Sequence, residues 1–232
     1  MRQVVAISLH HFDGFADRFY ALKSMGLLPF RAMKNGNFDF FRFMGTGSGN
    51  GFGIMPEFSR YVTVAVWRDE EQARKFYYGN PEWQDYVAKT KQTQIVFLKC
   101  CAVHGFWHSH QPFIINSDYD LDKPLAVITR ATIKWLDMIR FWRDVPSVTN
   151  RLNGEIKPIY AVGMGEWPLR FQATFSIWEN GRQMEKFAYR DNAHLNMVRK
   201  TRKINWYKEE LFARFHIDHI EGDKIIDFDF KF

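Results

Sequence analysis

Two kinds of hydrophobic pattern alternate along the first half of the chain. Short apolar runs such as VTVAVW (62–67), rich in β-branched and aromatic residues, are typical of strands. Segments such as EEQARKFYYG (70–79) instead space their apolar residues three or four apart, which predicts helices. The predicted elements are a strand at 3–9, a helix at 13–25, strands at 38–44 and 60–67, helices across 69–91 and a strand at 94–106.

The second half shows the same succession of patterns. It predicts a strand at 124–130, helices across 132–152, strands at 157–164 and 170–178, helices across 180–204 and a strand at 211–220. Asp69 and Asn180 each follow a predicted strand directly, at the position where a helix N-cap belongs. The order strand, helix, strand, strand, helix, strand therefore occurs twice.

The sequence itself also repeats. Residues 67–91 align with residues 178–202 at a constant offset of 111 without a gap, and Trp67 and Trp178 are one of the identical pairs. Upstream, GFGIMPEFSRYVTVAVW parallels GMGEWPLRFQATFSIW with one residue inserted. Internal similarity at a fixed offset indicates a duplicated structural unit.

A unit with this order of elements is the split βαβ, or ferredoxin-like, fold. We therefore expect an α+β protein of two tandem ferredoxin-like units, whose sheets either pack face to face or close into a barrel. The polar segment Asp118–Lys123 is the predicted linker. It divides the chain into an N-terminal unit, 1–117, and a C-terminal unit, 118–232, which we expect to bind the cofactor discussed below.

A predicted helix of the second half places a histidine on its apolar side. Phe187 lies seven residues before His194, and Val198 and Thr201 lie four and seven after it, so all four share one helical face. The offset of 111 aligns His194 with Trp83. An inward imidazole requires a hydrogen-bond partner, as in a core histidine, or else a metal to bind. The pattern leaves both interpretations open.

Composition narrows the function classes. Of the 232 residues, 46% are hydrophobic and 17% aromatic, with 23 phenylalanines, which suits a core or a long apolar ligand. We expect no membrane span and no secretion signal.

The adjacent Cys100 and Cys101 point to opposite faces of a predicted strand, which argues against a disulfide and favours a cytoplasmic location. The net charge is +6, but no nucleic-acid-binding module is present, so we expect no nucleic-acid partner.

Other candidate motifs are weaker. MGTGSGNGFG (44–53) fails the spacing of a phosphate-binding loop and leads toward a strand, so we expect a flexible connection or a lid. HGFWHSH supplies His104, His108 and His110, but no cysteine or carboxylate pattern accompanies them. A zinc site there is therefore not favoured.

Catalytic side chains are not evident from motifs. No G-x-S-x-G nucleophile elbow occurs, and the two cysteines are predicted to be buried and inert. Arg130 and Glu166 are polar residues among apolar neighbours. Each is either a member of a structural ion pair or a polar group in a pocket, which makes Arg130 a candidate for a catalytic role.

A series of segments forms a recognisable set: GTGSGNGF, YVTVAVWRDEEQAR, TRATIK, GMGEWPLRFQATFSIW, MEKFAY followed by His194, and TRKINWYKEELFARF. This set, from about residue 40 to about residue 222, resembles the spheroidene monooxygenase family of carotenoid biosynthesis. The resemblance implies an oxygen-dependent oxidoreductase that hydroxylates acyclic carotenoids at C-2 and oxidises them further to a ketone. It also implies a haem cofactor and electrons from a ferredoxin-type donor.

The resemblance further implies which residues bind the haem. In haem enzymes with tandem ferredoxin-like units, such as chlorite dismutases and aldoxime dehydratases, a helix histidine of the second unit binds the iron, and His194 is similarly placed. It implies haem b with His194 as axial ligand and with Phe187 and Val198 beside it. Arg199 and Arg202, off the inward stripe, would reach the propionates.

Two other functions stay open at this point. One is a cofactor-free monooxygenase of the small ferredoxin-like type, in which the substrate itself activates oxygen. The other is a non-catalytic protein that binds an apolar ligand. Because a water-insoluble substrate must be collected from a bilayer, peripheral contact with the inner face of a membrane stays open as well, as does a homo-oligomer.

Overall fold

The computed structural model describes residues 3–35, 37–49, 53, 55–134, 156–167, 171–190 and 207–228. Within these ranges the chain forms eight strands and four helices. The strands are β1 (Val4–His11), β2 (Phe40–Gly47), β3 (Pro56–Trp67), β4 (Gln92–Gly105), β5 (Leu125–Ile133), β6 (Tyr160–Trp167), β7 (Phe171–Trp178) and β8 (Tyr207–Gly222). The helices are α1 (Phe15–Asn35), α2 (Glu70–Gly79), α3 (Pro81–Val87) and α4 (Gly181–Arg190).

The eight strands join in one closed antiparallel barrel, in the order β1-β3-β2-β6-β7-β5-β8-β4. Each half contributes four neighbouring strands, β4-β1-β3-β2 and β8-β5-β7-β6, which is the strand order of a ferredoxin-like unit. The predicted α+β fold of tandem ferredoxin-like units is confirmed, and the closed barrel is the arrangement that the sheets adopt. The domain division between residues 117 and 118 stays a prediction.

The two sheets meet along seams of unequal length. β4 and β8 pair over most of their length, from Gln94 opposite Gly222 to Gly105 opposite Leu211. β2 and β6 pair only at Gly45 opposite Gly165 and at the adjoining residues. Backbone hydrogen bonds therefore close the barrel mainly between β4 and β8.

The inner faces of both sheets form one shared core. Apolar side chains from all eight strands fill the barrel, among them Val5, Met44, Val64, Leu98, Ile128, Met164, Phe175 and Phe215. Their alternation along each strand leaves the intervening residues on the outer face of the barrel. Each fully buried large apolar side chain contributes about 2 kcal/mol relative to an exposed one.

The helices α1, α2 and α3 cover the outer face of the first sheet. They bury a second cluster that is dominated by aromatic rings, including Phe41, Phe43, Tyr61, Trp67, Phe76, Tyr77, Trp83 and Tyr86. On the second sheet, α4 packs Met184 and Phe187 against a smaller cluster that contains Leu125 and Trp178. Among the described helices, none has the length and hydropathy needed to cross a membrane.

The helices after β3 and β7 reproduce the sequence repeat. α2 and α4 have the same length, and both of their bounds differ by 111 residues. Asp69 accepts a hydrogen bond from the backbone N–H of Gln72 at 3.0 Å, and Asn180 accepts one from that of Gln183 at 2.9 Å. Both predicted N-caps are confirmed, and the repeat extends to the local geometry that starts each helix.

Some boundaries differ from the predicted ones. Residues 132 and 133, predicted as helix, belong to β5, because these β-branched residues pair with the start of β8 at Glu209 and Tyr207. α1 continues past the predicted end at residue 25 to Asn35, since Leu28 packs into the core beneath the helix. The predicted helical segments at 135–152 and 191–204 lie outside the described residues.

The matched caps can be tested by substitution. Asp69→Ala and Asn180→Ala should each lower the free energy of unfolding by about 1 kcal/mol, because each leaves a first-turn N–H without its acceptor. Asp69→Asn and Asn180→Asp keep an acceptor and serve as controls. Urea denaturation followed by circular dichroism makes the comparison. Alanine variants as stable as their controls would show that these side chains do not cap the helices.

Candidate functional site

The outer face of the second sheet is lined by small side chains. Three rows of register partners across β6, β7 and β5 define it: Ala161–Ser176–Val127, Gly163–Thr174–Thr129 and Gly165–Gln172–Ala131. We call these nine residues the small-residue face. Apart from Gln172, none has a side chain larger than valine, so the sheet presents a nearly flat surface. On β8, the first two rows end at Arg214 and Phe212.

The nine equivalent positions of the first sheet are far bulkier. Their rows across β2, β3 and β1 are Phe41–Ala65–Ala6, Phe43–Thr63–Ser8 and Gly45–Tyr61–His10. These rows carry four aromatic rings, those of Phe41, Phe43, Tyr61 and His10, and all four are buried. The small-residue face carries none. The two halves therefore share a backbone arrangement but differ in the size of the side chains on their outer faces.

Trp83 on α3 completes the packing over the first sheet. Its indole is buried, with ring centroids 5.4 Å from His10, 5.0 Å from Phe76 and 5.7 Å from Tyr86. Burial, with a smaller contribution from the nearby His11, lowers the pKa of His10 to about 3, so its imidazole is neutral. The helix layer of the first half is thus filled by aromatic packing.

Of the residues predicted to bind a cofactor, the structure describes Phe187. Its ring lies 5.0 Å from that of Trp178, between α4 and the outer face of the second sheet. The other four, His194, Val198, Arg199 and Arg202, lie outside the described residues. The cofactor-binding roles of all five stay predictions.

Arg130 lies on the inner face of β5, on the opposite side of the sheet from its neighbours Thr129 and Ala131. It is 2% exposed and forms an ion pair with Glu209 of β8. Its guanidinium lies 5.9 Å from the ring centroid of Trp107 and 5.6 Å from that of Phe171. Of the two interpretations that the sequence left open, this geometry favours a structural ion pair, and a catalytic role for Arg130 stays a prediction.

Glu166 lies at the same end of the barrel interior and binds three side chains. It accepts a hydrogen bond from the Trp107 indole at 2.7 Å, and its carboxylate lies 3.1 Å from Arg42 Nε and from His108 Nε2. Arg42 belongs to β2 and Glu166 to β6, the two strands that share only a short ladder. The ion pair therefore reinforces the short seam of the barrel.

Glu209 holds the turn that carries His108. It accepts hydrogen bonds from the backbone N–H groups of His108 at 2.8 Å and Ser109 at 2.6 Å. Both residues have left-handed backbones, with φ of 53° and 63°, a conformation that costs non-glycine residues energy. Burial raises the pKa of Glu209, but the two N–H groups and the Arg130 charge outweigh it, so the pKa lies below its usual value.

The remaining candidate residues show no site chemistry. Within the described ranges, no three histidine, cysteine or acidic side chains are grouped so that they could hold a metal ion. Cys100 faces the barrel core and Cys101 the outer cluster, as predicted for strand neighbours. Burial raises the pKa of Cys100 to about 12 and that of Cys101 to about 11, so both thiols are protonated and unreactive.

Comparison with known proteins identifies the family. No protein-family model matches the chain. It is 32% identical over 216 residues to the spheroidene monooxygenase of Cereibacter sphaeroides, covering 93% of this chain and 67% of that protein. It is 30% identical over 221 residues to the spheroidene monooxygenase of Rhodobacter capsulatus, covering 94% of this chain and 92% of that protein. The chain belongs to the spheroidene monooxygenase family.

Membership of the spheroidene monooxygenase family makes the chain an oxidoreductase, as the resemblance of its motifs implied. Two solved structures share its fold. A crystal structure of aldoxime dehydratase has a TM-score of 0.64 at 14% identity, covering 93% of this chain and 82% of that one. A second aldoxime dehydratase, in complex with butyraldoxime, has a TM-score of 0.62 at 12% identity, covering 93% and 80%. At these identities the similarity shows the fold alone.

Sequence reasoning did not find the small-residue face of this family member. Its signal is the segment AVGMGEW, in which Ala161, Gly163 and Gly165 occupy alternate positions of a strand. The repeat alignment set GMGEWP against GFGIMP, part of the connection after β2. In the structure, Gly163 and Gly165 lie in β6, the equivalent of β2 itself, so their true counterparts are Phe43 and Gly45.

The buried ion pair at the barrel end yields a stability prediction. Glu209→Gln should lower the free energy of unfolding by about 2 kcal/mol at neutral pH, because it leaves Arg130 buried without its counter-charge. Because the pKa of Glu209 is lowered in the folded protein, this difference should be complete above about pH 4.5 and should shrink as the pH falls through the folded-state value.

Urea denaturation from about pH 7 to about pH 3 measures the effect. The double variant Arg130→Met/Glu209→Gln is the control, and it should be more stable than Glu209→Gln alone because no unpaired charge remains. A double variant less stable than Glu209→Gln alone would contradict the assigned ion pair.

Proposed function

We propose that the chain is a haem-dependent monooxygenase that hydroxylates an acyclic carotenoid, or a similar long apolar molecule, at C-2 and oxidises it further to a ketone. Support for the substrate class comes from the names of the relatives, which are spheroidene monooxygenases. Support for a cofactor comes from the chemistry, because oxidation of an unactivated C–H bond needs an oxidant that no amino-acid side chain supplies.

The observation that carries the proposal is the small-residue face. Where the first sheet has Phe41 and Phe43, the second has Ala161 and Gly163. A phenyl ring removed from a packed layer costs about 3 kcal/mol unless another group fills the space. A porphyrin is flat, rigid and largely apolar, and a surface of glycine, alanine, valine and threonine fits its face. The described residues therefore fit a haem against this sheet.

His194 is the residue that would bind the haem iron. The 111-residue offset that relates α2 to α4 also aligns His194 with Trp83, which covers the outer face of the first sheet. We therefore propose that the His194 imidazole lies over the outer face of the second sheet, with Phe187 and Val198 beside it. Arg199 and Arg202 would bind the haem propionates. When bound, haem b supplies the activation of dioxygen, with electrons from a ferredoxin-type donor.

The chain's own side chains have two tasks at this face. Val127, Ala131 and Ala161, which are half-buried, give the face an apolar lining that would exclude water once a cofactor covers it. Thr129 and Thr174 are register partners in the row of Gly163 and place two hydroxyl groups at the centre of the face. These hydroxyls can donate hydrogen bonds to a polar atom of a bound molecule and so fix its orientation.

The absorption spectrum tests the ligand assignment. The purified protein should show a Soret band, and His194→Ala should lose it while its circular dichroism stays unchanged. His219→Ala, which removes a half-exposed histidine of β8, is the matched control and should keep the band. Full haem occupancy in His194→Ala would overturn the assignment. A colourless wild-type protein that still oxidises carotenoid would instead support the cofactor-free alternative, and absence of turnover would support a binding protein.

A large side chain introduced into the small-residue face tests whether the haem lies there. Ala161→Phe restores the side chain that the first half has at Phe41 and should lower haem occupancy about tenfold or more, because a phenyl ring takes the space of the porphyrin. Gln111→Phe on an exposed loop is the control and should leave occupancy unchanged. Haem content is measured by pyridine haemochrome absorbance per folded chain. Full occupancy in Ala161→Phe would show that the haem does not lie on this face.

A further inference from the structure

Helix α1 is apolar on both of its sides. Ala21 and Leu28 are buried against the first sheet together with Ser24. On the other side, five large apolar side chains are between 40% and 88% exposed: Phe15, Phe19, Leu22, Leu27 and Phe30. We call these five residues the α1 stripe. A helix with apolar residues on an outer face needs a second apolar environment, because a surface helix ordinarily turns polar residues to water.

The five residues of the α1 stripe share one side of the helix, with Lys23 among them. At 100° per residue, its five members span about 140° of the circumference and lie opposite the buried residues. From Phe15 to Phe30 it extends about 22 Å, at 1.5 Å per residue. Met55 and Phe58, also exposed, lie just before and within β3, whose Ser59 accepts a hydrogen bond through its backbone O from the N–H of Phe12, just before α1, at 2.8 Å.

The charged residues that α1 itself carries have one sign over most of the stripe's length. From Phe19 to Arg31 the sequence has two basic residues, Lys23 and Arg31, and no acidic one. Both are exposed; at 100° per residue Lys23 lies within the arc of the stripe, between Phe30 and Leu27, and Arg31 borders it. The acidic residues of this segment lie at its N-terminal end: Asp17 in the first turn of α1, and Asp13, which forms an ion pair with Lys91 at 2.7 Å. A second copy of the chain would bring like charges together, whereas an anionic surface complements them.

We propose that the α1 stripe docks on an anionic lipid bilayer, with the helix lying in the plane of the membrane surface. This deepens the proposed function and rests on it in one respect, since a carotenoid substrate resides in lipid. Large aromatic and aliphatic side chains bordered by lysine and arginine are the composition of helices that bind at a bilayer interface. The apolar residues enter the acyl boundary and the basic residues bind lipid phosphates.

Helix α1 packs on β2, the strand that adjoins the small-residue face across the short seam. The Met25 sulfur, on the sheet side of α1, lies 3.7 Å from the position that a Cβ of Gly45 would occupy. Gly45 is the register partner of Gly165, the first residue of the small-residue face across the short seam. A molecule that passes from α1 to the small-residue face would therefore cross the seam between β2 and β6.

Co-sedimentation with vesicles tests the docking. Wild-type protein should bind phosphatidylcholine vesicles that contain phosphatidylglycerol, and should bind pure phosphatidylcholine vesicles less tightly. Phe15→Gln/Phe19→Gln/Phe30→Gln should weaken binding about a hundredfold, and Lys23→Glu/Arg31→Glu about tenfold. Glutamine keeps the helix propensity of α1, and circular dichroism verifies that each variant is folded.

Ile114→Gln/Ile115→Gln is the matched control, because it removes two exposed apolar side chains from a different surface, and its binding should equal that of the wild type. The proposal would be overturned if the wild-type protein binds neither kind of vesicle, or if the α1 variants bind as tightly as the wild type. The proposal would also be overturned if the wild-type protein is a dimer and Phe15→Gln/Phe19→Gln/Phe30→Gln is a monomer. The α1 stripe would then bind a second copy of the chain. The vesicles hold no carotenoid and haem is not measured, so these outcomes are independent of the proposed function.

Discussion

Because the barrel is closed, the inner faces of both sheets pack together in one shared core. Side chains from all eight strands fill that interior, and the charged residues at its end pair with one another through Arg42, Glu166, Arg130 and Glu209. In the part of the chain that the structure describes, the outer faces are the ones left for binding, because each strand alternates its side chains between inside and outside. Any bound cofactor must therefore lie between a sheet and its helices, or beyond them.

Duplication gives the chain two such outer faces, and they have diverged. The first has four buried rings at nine positions and Trp83 packed above them, so its helix layer stabilises the fold. The second has no ring at the equivalent positions. Glycine and alanine in the middle of strands weaken a sheet because they offer little side chain to pack. A group that approaches the sheet closely can make up for the missing contacts. The proposed haem supplies that group, and the proposed docking of α1 on lipid lies across the short seam from it.

The sequence predicted the fold well because its signals are local and repeated. Strand runs, helical spacing and the offset of 111 residues each depend on near neighbours, and the caps Asp69 and Asn180 confirm them. Barrel closure depends on contacts between β4 and β8, which no local pattern specifies. The sequence did not predict the small-residue face, because its nine residues come from three strands and become neighbours only through the register in which those strands pair. The α1 stripe was missed because apolar residues on both sides hide the periodicity that marks an amphipathic helix.

The stoichiometry of haem binding tests the central claim, that one half packs while its duplicate binds. Haemin is titrated into the apoprotein and followed by Soret absorbance together with quenching of tryptophan fluorescence, since Trp178 lies at the end of the second outer face. The account predicts saturation at one haem per chain. Saturation at two haems per chain, or no saturable binding at all, would contradict it.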